Sequence, residues 1–155
     1  MSFFDRLRRL VPGPAPSGPF ALGVKHLERG RLEAAEVAFA AALAEAATAA
    51  EVAAVRNKRA LVALRRDDRE TAIAELAAAL DAHPRAPAAL TTLGNLLLED
   101  DCIDDAIAHY QAALIADERY APAYHNLGVA LHRSGLRGEA VRMLRKAARL
   151  EGRRA

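Results

Sequence analysis

The stretch YHNLGVAL, Tyr124–Leu131, decides the reading of this chain. Thirty-four residues earlier stands LTTLGNLL, Leu90–Leu97, with its Leu-Gly pair in the same place. One helical pattern written twice at a fixed interval signals a repeat architecture, and the period sets the fold.

Working outward, the only prolines after residue 20 are Pro84, Pro87 and Pro122. Proline breaks helices, so these mark joints, and Ala86-Pro87 and Ala121-Pro122 open equivalent segments. Each is followed by an apolar-periodic helix, a short turn at Asp101 or Gly135, and a second helix. Gly, and Asp less readily, accept the left-handed backbone that ends a helix.

Projected backwards, the pattern finds two further copies. Ala21–Gly23 precedes a turn at Gly30; Arg59-Ala60 stands where Leu-Gly stood, with its turn at Asp67. The second helices align in three columns: Ala35, Ala72, Ala106, Ala140; then Phe39, Leu76, Tyr110, Leu144; then Ala42, Ala79, Ala113, Ala147. Small, large and small at i, i+4 and i+7 share one helical face, where a neighbouring helix approaches over the alanines and locks on the large residue. The units run at about 16–49, 53–86, 87–120 and 121–154, with three extra residues between the first two. In the second unit Arg56 and Arg59 replace bulky apolar residues, which predicts a first helix rotated or displaced by that insertion.

Composition agrees. The 155 residues are Ala-, Leu- and Arg-rich, without Trp and with few β-branched residues, which favours helix over sheet. A net charge of +2 leaves no overall nucleic-acid footprint. The single cysteine, Cys102, cannot form an intramolecular disulfide and fits a reducing compartment. No apolar run reaches the roughly 18–20 residues that span a bilayer. MSFFDRLRRLVPGP lacks the apolar core of a secretory signal, so the expected location is cytoplasmic.

A 34-residue helix-turn-helix unit with bulky–Leu–Gly–bulky in its first helix, and Ala with a large apolar residue in its second, resembles the tetratricopeptide repeat. Leu90, Leu93, Gly94, Leu97, Ala106, Tyr110 and Ala113 carry the likeness in one unit. Tyr124, Leu127, Gly128, Leu131, Ala140, Leu144 and Ala147 carry it in the next, and Pro84 fits the closing proline of the second. The fold implied is all-α: a right-handed α-solenoid of antiparallel helix pairs, about eight helices plus a short N-terminal one. Single hairpins cannot bury their apolar faces alone, so copies stack.

The resemblance implies a non-enzymatic scaffold that holds a partner's peptide or helix in a groove lined by first helices. Its groove positions fall here on Phe20, Val24, Leu27 and Glu28, then Asn57, Leu61, Leu64 and Arg65. They continue through Thr91, Asn95, Leu98 and Glu99 to His125, Val129, His132 and Arg133. An apolar stripe edged by amides and imidazoles suits an amphipathic helix or apolar peptide. The same side chains have an alternative use in packing between units. Some arrays of this family clamp a C-terminal carboxylate with Lys, Asn and Arg. Asn95 and Asn126 resemble its asparagines, but Thr91 replaces the first lysine, so the clamp is not expected.

Residues 1–11 read as a short amphipathic helix with Ser2 as N-cap, joined by the Pro/Gly-rich tether 12–19 to the repeat domain 20–155. Three roles are open to it: a cap on the first hairpin, a groove lid or docking helix, and a weak membrane-surface anchor. At the other end no capping helix follows unit four, so Val141, Leu144 and Ala148 are expected to be partly uncovered. That end, or the N-terminal helix, offers a route to a homodimer. Acids cluster between Glu99 and Glu118, whereas arginines dominate from Arg133 onward, and nucleic acid or an anionic membrane is the alternative partner for that end. No phosphate loop, CxxC pair, HExxH helix or GxSxG elbow occurs. His125 and His132 lie two turns apart, about 10.5 Å, too far to share a metal. No cofactor, metal or catalytic residue is expected.

Overall fold

The computed structural model describes residues 18–152. The N-terminal helix read over residues 1–11 and most of its tether lie outside the described residues. Within them the chain is all-α, with eight helices in four antiparallel pairs. They are α1 (Pro19–Glu28), α2 (Leu32–Glu45), α3 (Ala49–Arg65), α4 (Arg69–Ala82), α5 (Pro87–Glu99), α6 (Ile103–Ala116), α7 (Ala121–Arg133) and α8 (Arg137–Glu151). Odd-numbered helices are the first of each unit and even-numbered helices the second.

The turn within each pair uses one device four times. Gly30, Asp67, Asp101 and Gly135 all adopt left-handed backbone, with φ of 70°, 60°, 62° and 88°. The next residue's N–H then reaches back across the turn: Arg31 to the His26 carbonyl, Asp68 to Ala63, Cys102 to Leu97 and Leu136 to Leu131, each at 2.9 Å. This closes the end of the first helix while turning the chain back on itself.

Helix starts explain the irregular spacing. A proline within the first two positions opens α1, α5 and α7, where its missing N–H has no helical partner to lose. α3 opens differently. Thr48 accepts from the Glu51 N–H at 3.1 Å, and Glu51 Oε2 accepts from the N–H groups of Ala47 and Thr48 at 2.9 Å each. These bonds hold the Glu51 carboxyl below its ordinary range. The capping box starts α3 at Ala49, giving it 17 residues against 13 in α5 and α7. The insertion is thus an added turn of helix.

The alanine and large-residue columns form the core. All are buried except Leu144, which is half-buried. Each of three apolar clusters spans two neighbouring units: Phe39 with Val55 and Val62, Leu76 with Ala89 and Leu96, and Tyr110 with Leu127 and Leu131. The core therefore lies in the junctions, and hydrophobic burial holds unit to unit.

Arginines fasten the same junctions. Arg65 of α3 donates to the Leu27 carbonyl at the end of α1 (3.0 Å), and Arg133 of α7 to the Leu98 carbonyl at the end of α5 (2.8 Å). Arg69 of α4 donates to the Leu96 carbonyl (3.1 Å) and pairs with Glu99 and Asp100. Each guanidinium adds a second, charge-assisted donor to a carbonyl in the last turn of a helix, which also accepts a backbone N–H at 3.0–3.2 Å.

The expected displacement of α3 does not occur. Ala53 and Ala60 are fully buried in register, with Ala60 in one cluster with Leu76. Arg56 and Arg59 instead converge on Glu75 of α4, at 3.2 and 2.9 Å. A buried carboxylate facing two arginines does here what aliphatic packing does in the neighbouring units.

Candidate partner-binding surface

Successive first helices touch one another, α1 on α3, α3 on α5 and α5 on α7, so they build one continuous wall. On α5, Thr91, Asn95, Leu98 and Glu99 share the face turned to this wall, because i, i+4, i+7 and i+8 lie on one side of a helix. His125, Val129, His132 and Arg133 repeat that face on α7.

The two faces meet in a hollow of about 240 Å³, lined by Asn95, Leu98, Glu99, Tyr110, Asn126, Val129 and Arg133. Its floor is a polar knot. The Asn95 side-chain oxygen accepts from the Tyr110 hydroxyl at 2.9 Å and from the Asn126 amide at 2.8 Å. Burial pushes the Tyr110 hydroxyl up to about 12, with Glu99 raising it further and Arg133 opposing. Above the knot Val129 is 38% exposed, and His125 and His132 are open to solvent.

The predicted groove residues divide into two sets. Asn95, Leu98 and Val129 line the hollow, flanked by His125 and His132. Leu27 is buried, and Val24 and Leu61 are half-buried against its cluster. Leu64 packs on the cluster of units two and three, and the exposed Arg65 reaches back to unit one. Asn57 and Thr91 are each 5% exposed, and among the described residues the side-chain oxygens of both lack a hydrogen-bond partner. The asparagine pair of the clamp pattern is turned inward, since both donors to Asn95 come from the protein itself.

Sequence reasoning placed Tyr110 only in the core column, whereas its hydroxyl also organises the hollow. The signal was present: Tyr stands where the other units carry Phe or Leu. A second hollow of about 320 Å³ lies among the starts of α1 and α3 and the end of α2, lined by residues such as Phe20, Ala42 and Val55. Among the described residues no cluster of three or more His, Cys, Asp or Glu is placed to hold a metal ion, and no helix is long and apolar enough to cross a membrane.

Residues 121–153 match the tetratricopeptide repeat family model. The structure of Pseudomonas aeruginosa pilF superposes with a TM-score of 0.71 at 24% identity, over 85% of this chain and 59% of that one. A MamA structure gives 0.63 at 22% identity, over 97% and 86%. YrrB, described as a TPR protein with an unusual peptide-binding site, gives 0.59 at 20% identity, over 86% and 68%. None of the curated proteins matches in sequence. The chain carries a tetratricopeptide repeat in its last unit, and its fold is that of tetratricopeptide-repeat proteins.

Proposed function

We propose that this chain is a non-enzymatic scaffold that binds a peptide or helix of a protein partner along the wall formed by α1, α3, α5 and α7. The observation that carries this reading is the hollow between α5 and α7, where exposed Val129 lies over the amide knot of Asn95 and Asn126. An apolar side chain beside amide groups suits a partner that presents an apolar residue together with backbone N–H and C=O groups. The contact surface comprises Asn95, Leu98, His125, Val129 and His132, extended by the exposed parts of Val24, Leu61, Leu64 and Arg65. Leu27, Asn57 and Thr91 shape the wall from beneath.

Affinity capture from a native lysate tests this, with wild type beside Val129→Asp/His125→Asp. Both positions are exposed, so the variant keeps its melting temperature. Loss of the specific partners supports the wall; recovery of the same partners by both proteins removes it.

A further inference from the structure

We infer that α8 is a second docking face, on which a helix of a partner polypeptide, with an aliphatic seam and carboxylates at its C-terminal end, seats as α5 seats on α4. This surface is separate from the α5–α7 hollow.

On α4, Leu76 is fully buried in one cluster with Ala89 and Leu96 of α5, Leu80 packs against that cluster, and Arg69 grips the end of α5 through the Leu96 carbonyl, Glu99 and Asp100. Two periods on, the same positions of α8 are Leu144, Ala148 and Arg137. Leu144 is only half-buried, Ala148 is exposed, and the Arg137 side chain has no partner among the described residues. Val141 lies outside this seam, since its counterpart Ile73 stays 47% exposed on α4 with α5 seated there. The seam and the fastening arginine are both present, and no described helix occupies them.

Charge selects the occupant. Arg145, next to Leu144, adds positive charge at the edge of the seam and forms no ion pair among the described residues, while Arg142 and Arg149 lie further round the helix. Carboxylates at the end of an incoming helix complement Arg137 as Glu99 and Asp100 complement Arg69. A second copy fits poorly. Lys25 of its α1 would occupy the position that buried Val62, Leu96 and Ala130 hold in the other first helices. Nucleic acid would satisfy the arginines but leave Leu144 and Ala148 uncovered.

The probe is a synthetic peptide of residues 86–101, the segment that supplies α5, beside its Glu99→Lys/Asp100→Lys form. By fluorescence anisotropy at low salt the native peptide is expected to bind roughly tenfold or more tightly than the lysine form, as close charge pairs at interfaces do. Arg137→Glu reverses that preference, Ala148→Asp abolishes binding of both, and Val129→Asp changes nothing, which separates this face from the hollow. Arg137 is exposed in the first turn of α8, so the reversal leaves the fold intact, as circular dichroism checks. Absence of native-peptide binding, or indifference to Arg137→Glu, overturns the inference. So does a 20-base-pair duplex that displaces the peptide, or a self-associated protein that Arg137→Glu renders monomeric.

Discussion

A methyl group placed on Gly94 would lie 2.6 Å from Cε1 of Tyr110, closer than real side-chain carbons approach. Gly23 stands in the same relation to Phe39 (2.5 Å) and Gly128 to Leu144 (2.7 Å). The second unit solves the contact differently, with Ala60 in the glycine position and Leu76 in the large one. The small residue and the large one facing it are therefore one choice made jointly across a hairpin, since close-packed interiors do not absorb an extra carbon without strain.

Gly94→Ala is accordingly expected to destabilise the chain by about 1–3 kcal/mol, the usual range for overpacking. Adding Tyr110→Leu reproduces the Ala60–Leu76 arrangement and recovers part of the loss, less what the Asn95 hydrogen bond supplied. Denaturant titration of both single variants and the double closes the cycle. Additive effects would refute the coupling.

Tyr110 predicts an alkaline limit. Its folded value of about 12 lies above the ordinary tyrosine value of 10, so the native state holds this proton more tightly than the unfolded chain. The resulting stability is fully present below pH 10 and is lost as pH rises from there through about 12. Tyr110→Phe removes that slope. The ultraviolet difference between wild type and Tyr110→Phe should titrate with a midpoint near 12.

Glu75 holds Arg56 and Arg59 together from a nearly buried position. Glu75→Ala leaves two neighbouring guanidinium groups without their counterion and is expected to cost about 3 kcal/mol or somewhat less, because the arginines are partly exposed. Replacing the set by the apolar residues that stand at these positions further along the array, Arg56→Leu/Arg59→Leu as in unit three and Glu75→Met as in unit four, should leave stability unchanged or raised. Thermal melts of the two variants decide between a stabilising network and a merely tolerated one.

The left-handed aspartates separate backbone strain from charge. Asp67→Gly relieves a side chain at φ 60° and should stabilise by up to about 1 kcal/mol. Asp101→Gly relieves the same strain but gives up the 2.7 Å pair with Arg133, so its net effect should be smaller. Equal shifts in melting temperature would mean that the Arg133 pair contributes nothing.

Much of this architecture was legible because it repeats. The alanine columns, the large residues between them and all four left-handed turn positions could be read from spacing, since each sits where one local requirement admits few residue types. The start of α3 was misplaced because Thr48 and Glu51 form a capping box outside the 34-residue frame. The predicted groove stripe was only partly free surface for a different reason. Projection down one helix shows which side chains share a face, but not that Leu27, Asn57 and Thr91 on that face become buried once the units stack. The Tyr110–Asn95–Asn126 knot joins three helices, and no local pattern encodes it.

The arginine grips on helix ends also limit how freely these units could be exchanged. Arg65 and Arg133 each donate to a carbonyl belonging to the unit before, while Arg69 reaches into the unit after. A graft that moved one hairpin alone would sever contacts on both sides and strip helix ends of their charged donors. The exchangeable cassette is therefore a hairpin together with its flanking arginines.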